Sequence, residues 1–174
     1  EKNNELVTHR RSPGAPSARA YAGSSVEVMD LVIRRPESAA PASDDAFLST
    51  LVVRGIGTLS NSAISTLRLY LDDGDDAFDA GLIQGAATGP AVGDDVELAP
   101  GVYQAASGTY RFSGIGALLP NRTVSTGLHL RVVAELRPAG TIPVGTLRFA
   151  VVSNGVGIDK PAPIGGPFWT SAGT

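Results

Sequence analysis

The chain of 174 residues has no cysteine, one methionine, one tryptophan and two histidines, and each scarcity closes off a chemistry. Without cysteine there is no disulfide, no thiolate metal site and no cysteine nucleophile. The two histidines, His9 and His129, have no histidine or carboxylate neighbour at metal-ligand spacing. No Gly-x-Ser-x-Gly elbow presents a serine nucleophile. Aromatic side chains for stacking on sugars are few, with Trp169 alone and Tyr21, Tyr70, Tyr103 and Tyr110 scattered. No apolar run approaches the roughly 18–20 residues that cross a bilayer as a helix, so no membrane insertion of the chain is expected. Nothing here supplies a defensible nucleophile, and a non-enzymatic role is expected.

What the chain does have is punctuation and an apolar supply. Gly 21 and Pro 12 are high counts, yet 43% hydrophobic residues is too many for disorder, so these residues separate many short elements of a folded chain. Strands and turns are the expected content. The length suits one domain, read as residues 26–174, behind an extended N-terminal arm of residues 1–25 that is polar and lacks sustained periodicity. The chain opens at Glu1 and its one methionine is Met29, which reads as a mature protein after removal of a signal peptide, placed outside the cell or on its surface.

Charge is unevenly spread. Residues 1–35 carry six Lys/Arg and four Asp/Glu, residues 36–102 two and eleven, and residues 103–174 six and two. An acidic middle between basic ends does not make the contiguous basic face that nucleic acid requires. It does permit head-to-tail attraction between copies.

Residues 26–34 read as a strand apolar on both faces, 47–54 as a second, and 64–71 as a third, with Leu67, Leu69 and Leu71 inward and Thr66, Arg68 and Tyr70 outward. Further strands are expected at 96–98, 109–113, 126–136 and 146–153. In the longest of these, Leu128, Leu130, Val132, Ala134 and Leu136 face in and His129, Arg131 and Glu135 face out. Pro100-Gly101 reads as a turn. An internal echo joins Gly55-Ile56-Gly57 and the strand at Leu67-Arg68-Leu69 to Gly114-Ile115-Gly116 and the strand at Leu128-His129-Leu130. Two related halves of one β body account for it, as do two arches with the same turn requirement.

Chemistry concentrates in residues 67–82, LRLYLDDGDDAFDAGL. Asp72, Asp73, Asp75, Asp76 and Asp79 set five carboxylates around Gly74, and calcium takes six to eight oxygens from such alternating acidic turns. The same residues also suit a solvated hairpin whose aspartates bond their own backbone amides. Phe78, between aspartates, is expected to anchor the returning chain in the core. Paired carboxylates could in principle serve glycoside hydrolysis, but a crowded turn lacks the opposed placement needed. Asn121-Arg122-Thr123 matches a glycosylation sequon.

The segment resembles the strand, Tyr, acidic Gly-containing turn and Phe-Asp element of Ig-like and CARDB-like β-sandwich modules in bacterial secreted and cell-surface proteins. That resemblance implies an Ig-like β-sandwich of about 7–9 mostly antiparallel strands, with a structural or adhesive role and, in some such turns, bound calcium. The expectation is a structural subunit of an extracellular filament or surface assembly. Its partners are copies of itself, and its arm, with Leu6, Val7 and Tyr21 as assembly residues, adds to a neighbour's sheet. The alternative is a calcium-stabilised adhesion or carbohydrate-binding module of a larger surface protein, whose melting temperature would rise with calcium.

Overall fold

The structure, a computed structural model, describes residues 7–9, 21–34, 46–72, 78, 95–119, 127–138 and 145–159. Within them the chain is all-β and antiparallel, as expected. The strands are β1 (Val7–His9), β2 (Ser25–Arg34), β3 (Phe47–Gly55), β4 (Ile64–Leu71), β5 (Val96–Gln104), β6 (Thr109–Leu118), β7 (Leu128–Leu136) and β8 (Phe149–Asp159). One turn of 3-10 helix, Asn61–Ala63, leads into β4, and the Ser60 side chain caps it by accepting from the Ser62 N–H.

The eight strands hydrogen-bond in the order β1-β2-β7-β4-β5-β6-β3-β8. Two separate stacked sheets were expected. The ladder is instead continuous and curls into an open half-barrel, because β5 serves both halves. Its first part pairs with β4, from Leu71 opposite Val96 to Leu67 opposite Gly101, and its last residues pair with β6, from Val102 opposite Arg111 to Gln104 opposite Thr109. Pro100-Gly101 is therefore no hairpin turn but the bend at which a strand changes partners. Proline has no N–H to place in a ladder, and glycine lets the backbone approach Phe112, whose Cε1 would lie 2.9 Å from a Cβ added at Gly101. The tight turn falls later, where Ser107 and Gly108 N–H groups both donate to the Gln104 carbonyl and Gly108 takes φ 64.

Gly114-Ile115-Gly116 also departs from expectation. These residues lie inside β6 as a bulge, since Leu48 faces Ala117 while Thr50 faces Ser113. Gly114 (φ 70) and Gly116 (φ 62) supply left-handed backbone, and the detour aims Ile115 into the core. The echoed halves nevertheless occupy related places. β3 pairs with β6, and β4, which follows β3, pairs with β7, which follows β6.

One core fills the curl. Leu31 and Ile33 of β2, Leu67 and Leu69 of β4, and Leu130 and Val132 of β7 meet Leu48, Leu51 and Val53 of β3, Phe112 of β6 and Phe149 of β8. All five inward residues expected of β7 are buried. Beyond β3 the pairing continues without regular strand: Ile56 N–H donates to Arg148 O at 2.8 Å and Leu59 N–H to Thr146 O at 3.0 Å. Contacts between residues 21–24 and the end of β7 start this body, with Gly23 N–H on Arg137 O and Leu136 N–H on Ser24 O.

The arm's described strand, β1, lies against its own chain's β2, Val7 opposite Arg34 and His9 opposite Val32. Tyr21, at a turn closed by Ser24 Oγ donating to its carbonyl, is 71% exposed. Leu6 lies outside the described residues.

Candidate functional site

Leu71 ends β4 and Val96 begins β5, as direct partners, so the residues flanking them, Asp72 and Asp95, stand side by side at the root of the acidic segment. Asp72 is held there by its own N–H, which donates to His129 O at 3.1 Å. Both carboxylates turn toward Arg131 on the central strand β7. Arg131 donates from Nη2 to Asp72 Oδ1 at 3.0 Å and from Nη1 to Glu27 Oε2 at 2.9 Å, and its Nε lies 3.5 Å from Asp95 Oδ2. The side chains are 4% (Arg131), 1% (Asp72) and 0% (Asp95) exposed. His129 Nδ1 sits 3.6 Å from Asp72 Oδ2, at ion-pair rather than hydrogen-bond distance.

A guanidinium is well matched to this place, since its fork of donors can reach several carboxylates at once and it stays charged on burial. Burial acts to lower the Arg131 pKa, but the hydrogen bonds it donates to Asp72 and Glu27 outweigh it and hold it above its ordinary value. Breaking a buried ion pair is costly, whereas the intact pair need not add net stability. The cluster therefore fixes the two feet of the acidic segment more surely than it stabilises the fold.

A second charged row crosses the outer face of the same half. Arg68 of β4 bonds Glu135 of β7 at 2.7 Å and Glu97 of β5 at 2.8 Å. The Glu135 bond most strongly, then Glu97, raises the Arg68 pKa against the effect of burial. Beside it Tyr70 packs edge-on against Phe78, ring centroids 5.2 Å apart. Phe78 thus rests on the outer face, not in the core as expected.

Of the five aspartates expected at a calcium site, Asp72 is engaged by Arg131, and Asp73, Asp75, Asp76 and Asp79 lie outside the described residues. Among the described residues no group of three or more His, Asp or Glu is arranged to hold a metal. Arg131 was expected on an exposed outer face. It is buried where Glu27, Asp72 and Asp95 gather around its guanidinium, whereas His129 and Glu135 on the same face stay half-buried. One signal for this was legible: Val133, on the same face two residues on, is apolar and buried, as a covered face requires. Compared with known proteins, the chain matches no family model, no curated protein and no solved structure.

Proposed function

We propose that the protein is a non-enzymatic structural subunit of an extracellular filament or surface assembly, built on an Ig-like strand arrangement and joined by its N-terminal arm. The Ig-like reading rests on topology. In Ig-type folds strands B and E pair on one sheet and C and F on the other; here β3 and β6 pair in one half and β4 and β7 in the other. The outermost strands differ, with β8 beside β3 and β2 beside β7.

One observation carries the assembly reading. β1 covers only Val32, Ile33 and Arg34 of β2, and the rest of that ten-residue strand has no partner on its outer side among the described residues. A three-residue ladder contributes little, and the same register is open to a second copy's arm. Intramolecular and exchanged ladders share their hydrogen bonds, so concentration decides between them. A head-to-tail exchange that does not close gives a filament. The buried charges of Asp72, Asp95 and Arg131 pair with one another, in keeping with a scaffold.

Deleting residues 1–20 tests the reading. Size-exclusion chromatography and electron microscopy are expected to show a folded monomer that no longer assembles, and polymers identical to those of the full chain would reject it.

A further inference from the structure

The arginines of this fold are not treated alike. Arg68 and Arg131 each hold two or more carboxylates, whereas Arg54 of β3 and Arg111 of β6 have no ion pair among the described residues. Arg54 Nη2 reaches only the Ser107 carbonyl at 3.4 Å, and Arg111 Nε only Ser113 Oγ at 3.2 Å. Both line one open hollow of about 460 Å³ with Val52, Gln104, Ser107 and Val152. Since Leu51 and Val53 point into the core, this hollow lies on the outer face of the β6-β3-β8 half. Its lining combines two guanidiniums, the Gln104 amide, the hydroxyls of Ser107, Thr109 and Ser153 and the apolar Val52 and Val152, and none of its side chains is aromatic or acidic. Such a surface selects carboxylates on an extended chain over a sugar ring, which wants a stacking platform.

The geometry points to the acidic segment of a second copy, residues 73–79, as the occupant of this hollow. That segment offers Asp73, Asp75, Asp76 and Asp79, whereas the described part of the hollow offers cations without counter-charges. Asp72 and Phe78, on either side of residues 73–77, belong to the β4 half, Asp72 on Arg131 and Phe78 against Tyr70 on the outer face, with the core between that face and the hollow. Each molecule thus carries a donor on one side and an acceptor on the other, a heterologous contact that propagates. The contact deepens the assembly reading and rests on it for its use, but peptide binding does not require the arm.

The test uses the full-length chain and a fluorescein-labelled peptide of residues 71–80, read by anisotropy. Binding is expected to weaken about tenfold or more from about 0.05 M to about 0.5 M salt, as rim charges are screened. It should be lost in Arg54→Gln/Arg111→Gln, with the circular dichroism spectrum unchanged, and kept in Arg137→Gln, an exposed arginine outside the hollow. Equal binding by the double variant, equal binding of a peptide with the four aspartates replaced by Asn, or no binding to the native chain would each overturn the proposal. Polygalacturonate bound at the arginine pair in place of the peptide would do so too, assigning the hollow to an acidic polysaccharide. Failed peptide binding with arm-dependent polymers removes only this contact; arm-independent polymers remove the assembly reading and leave peptide binding as it was.

Discussion

Replacing Arg131 with Met keeps most of its volume and removes its charge, leaving Asp72 and Asp95 buried without the guanidinium that faces both. Removing one partner of a buried ion pair costs roughly 3–5 kcal/mol, a large share of the roughly 5–15 kcal/mol that holds a domain folded. With a urea dependence near 2 kcal/mol per M, the midpoint should fall by about 2 M. The loss should also depend on pH in a definite sense. Deprived of their cation in a buried place, the two carboxylates of the variant titrate above their unfolded value of about 3.9. A folded-state pKa raised in this way gives stability that is full below the unfolded value and disappears as pH rises through the folded one. The variant should therefore lie nearest the native chain at low pH and fall furthest behind at neutrality. Adding Asp72→Asn and Asp95→Asn should recover part of the deficit, since it removes the buried negative charges that the guanidinium had balanced. Urea unfolding followed by circular dichroism at several pH values measures all of this. A loss below about 1 kcal/mol, the range of exposed ion pairs, or a loss flat with pH, would refute the account of a buried clamp.

Two further outcomes follow from tyrosine burial and from the bend at Gly101. Burial pushes the Tyr110 hydroxyl above its ordinary value, with the nearby Tyr103 adding to the effect, and burial, then the Glu97 charge, does the same at Tyr70. Folding thus favours the protonated phenols, so their contribution is complete below about pH 10 and lost as pH climbs through the raised values. Denaturant midpoints should fall steeply above that pH, and Tyr110→Phe should lessen the fall; an unchanged slope would count against the assignment. Gly101→Ala would set a methyl 2.9 Å from Phe112 Cε1 and 3.2 Å from the Leu67 carbonyl, and since that ring is fully buried it has little room to yield. A loss of roughly 1–3 kcal/mol is expected by thermal or urea unfolding, and a neutral substitution would show that β5 can bend elsewhere.

How far the fold could be read from residues varied with the clarity of alternation. β4 falls on the expected residues, 64–71, because leucine alternates there with polar side chains and a turn signal bounds each end. β5 was foreshortened because Pro-Gly reads locally as a reversal, and only the neighbouring strands show that the ladder passes through it. β8 was expected at 146–153 and lies at Phe149–Asp159. Its middle is bulged where Leu51 faces Val156 but Val53 faces Val151, and Asn154 at φ 58 interrupts the period-two pattern that would have marked it. At the candidate site the five aspartates were visible in the sequence, but their relation to Arg131 was not. That contact joins residues 59 positions apart, and neither composition nor spacing brings them together. Arg54 and Arg111 were likewise silent, being ordinary outward residues until the register sets them on one face.

The double membership of β5 ties the fates of the two halves. Tension entering through β4 reaches β6 along a single covalent backbone, with no loop between them to slacken, so the body should stretch as one piece instead of parting like the covers of a book. The body gains stiffness from such a shared spine, and a cut at that bend would do more harm than one at either rim.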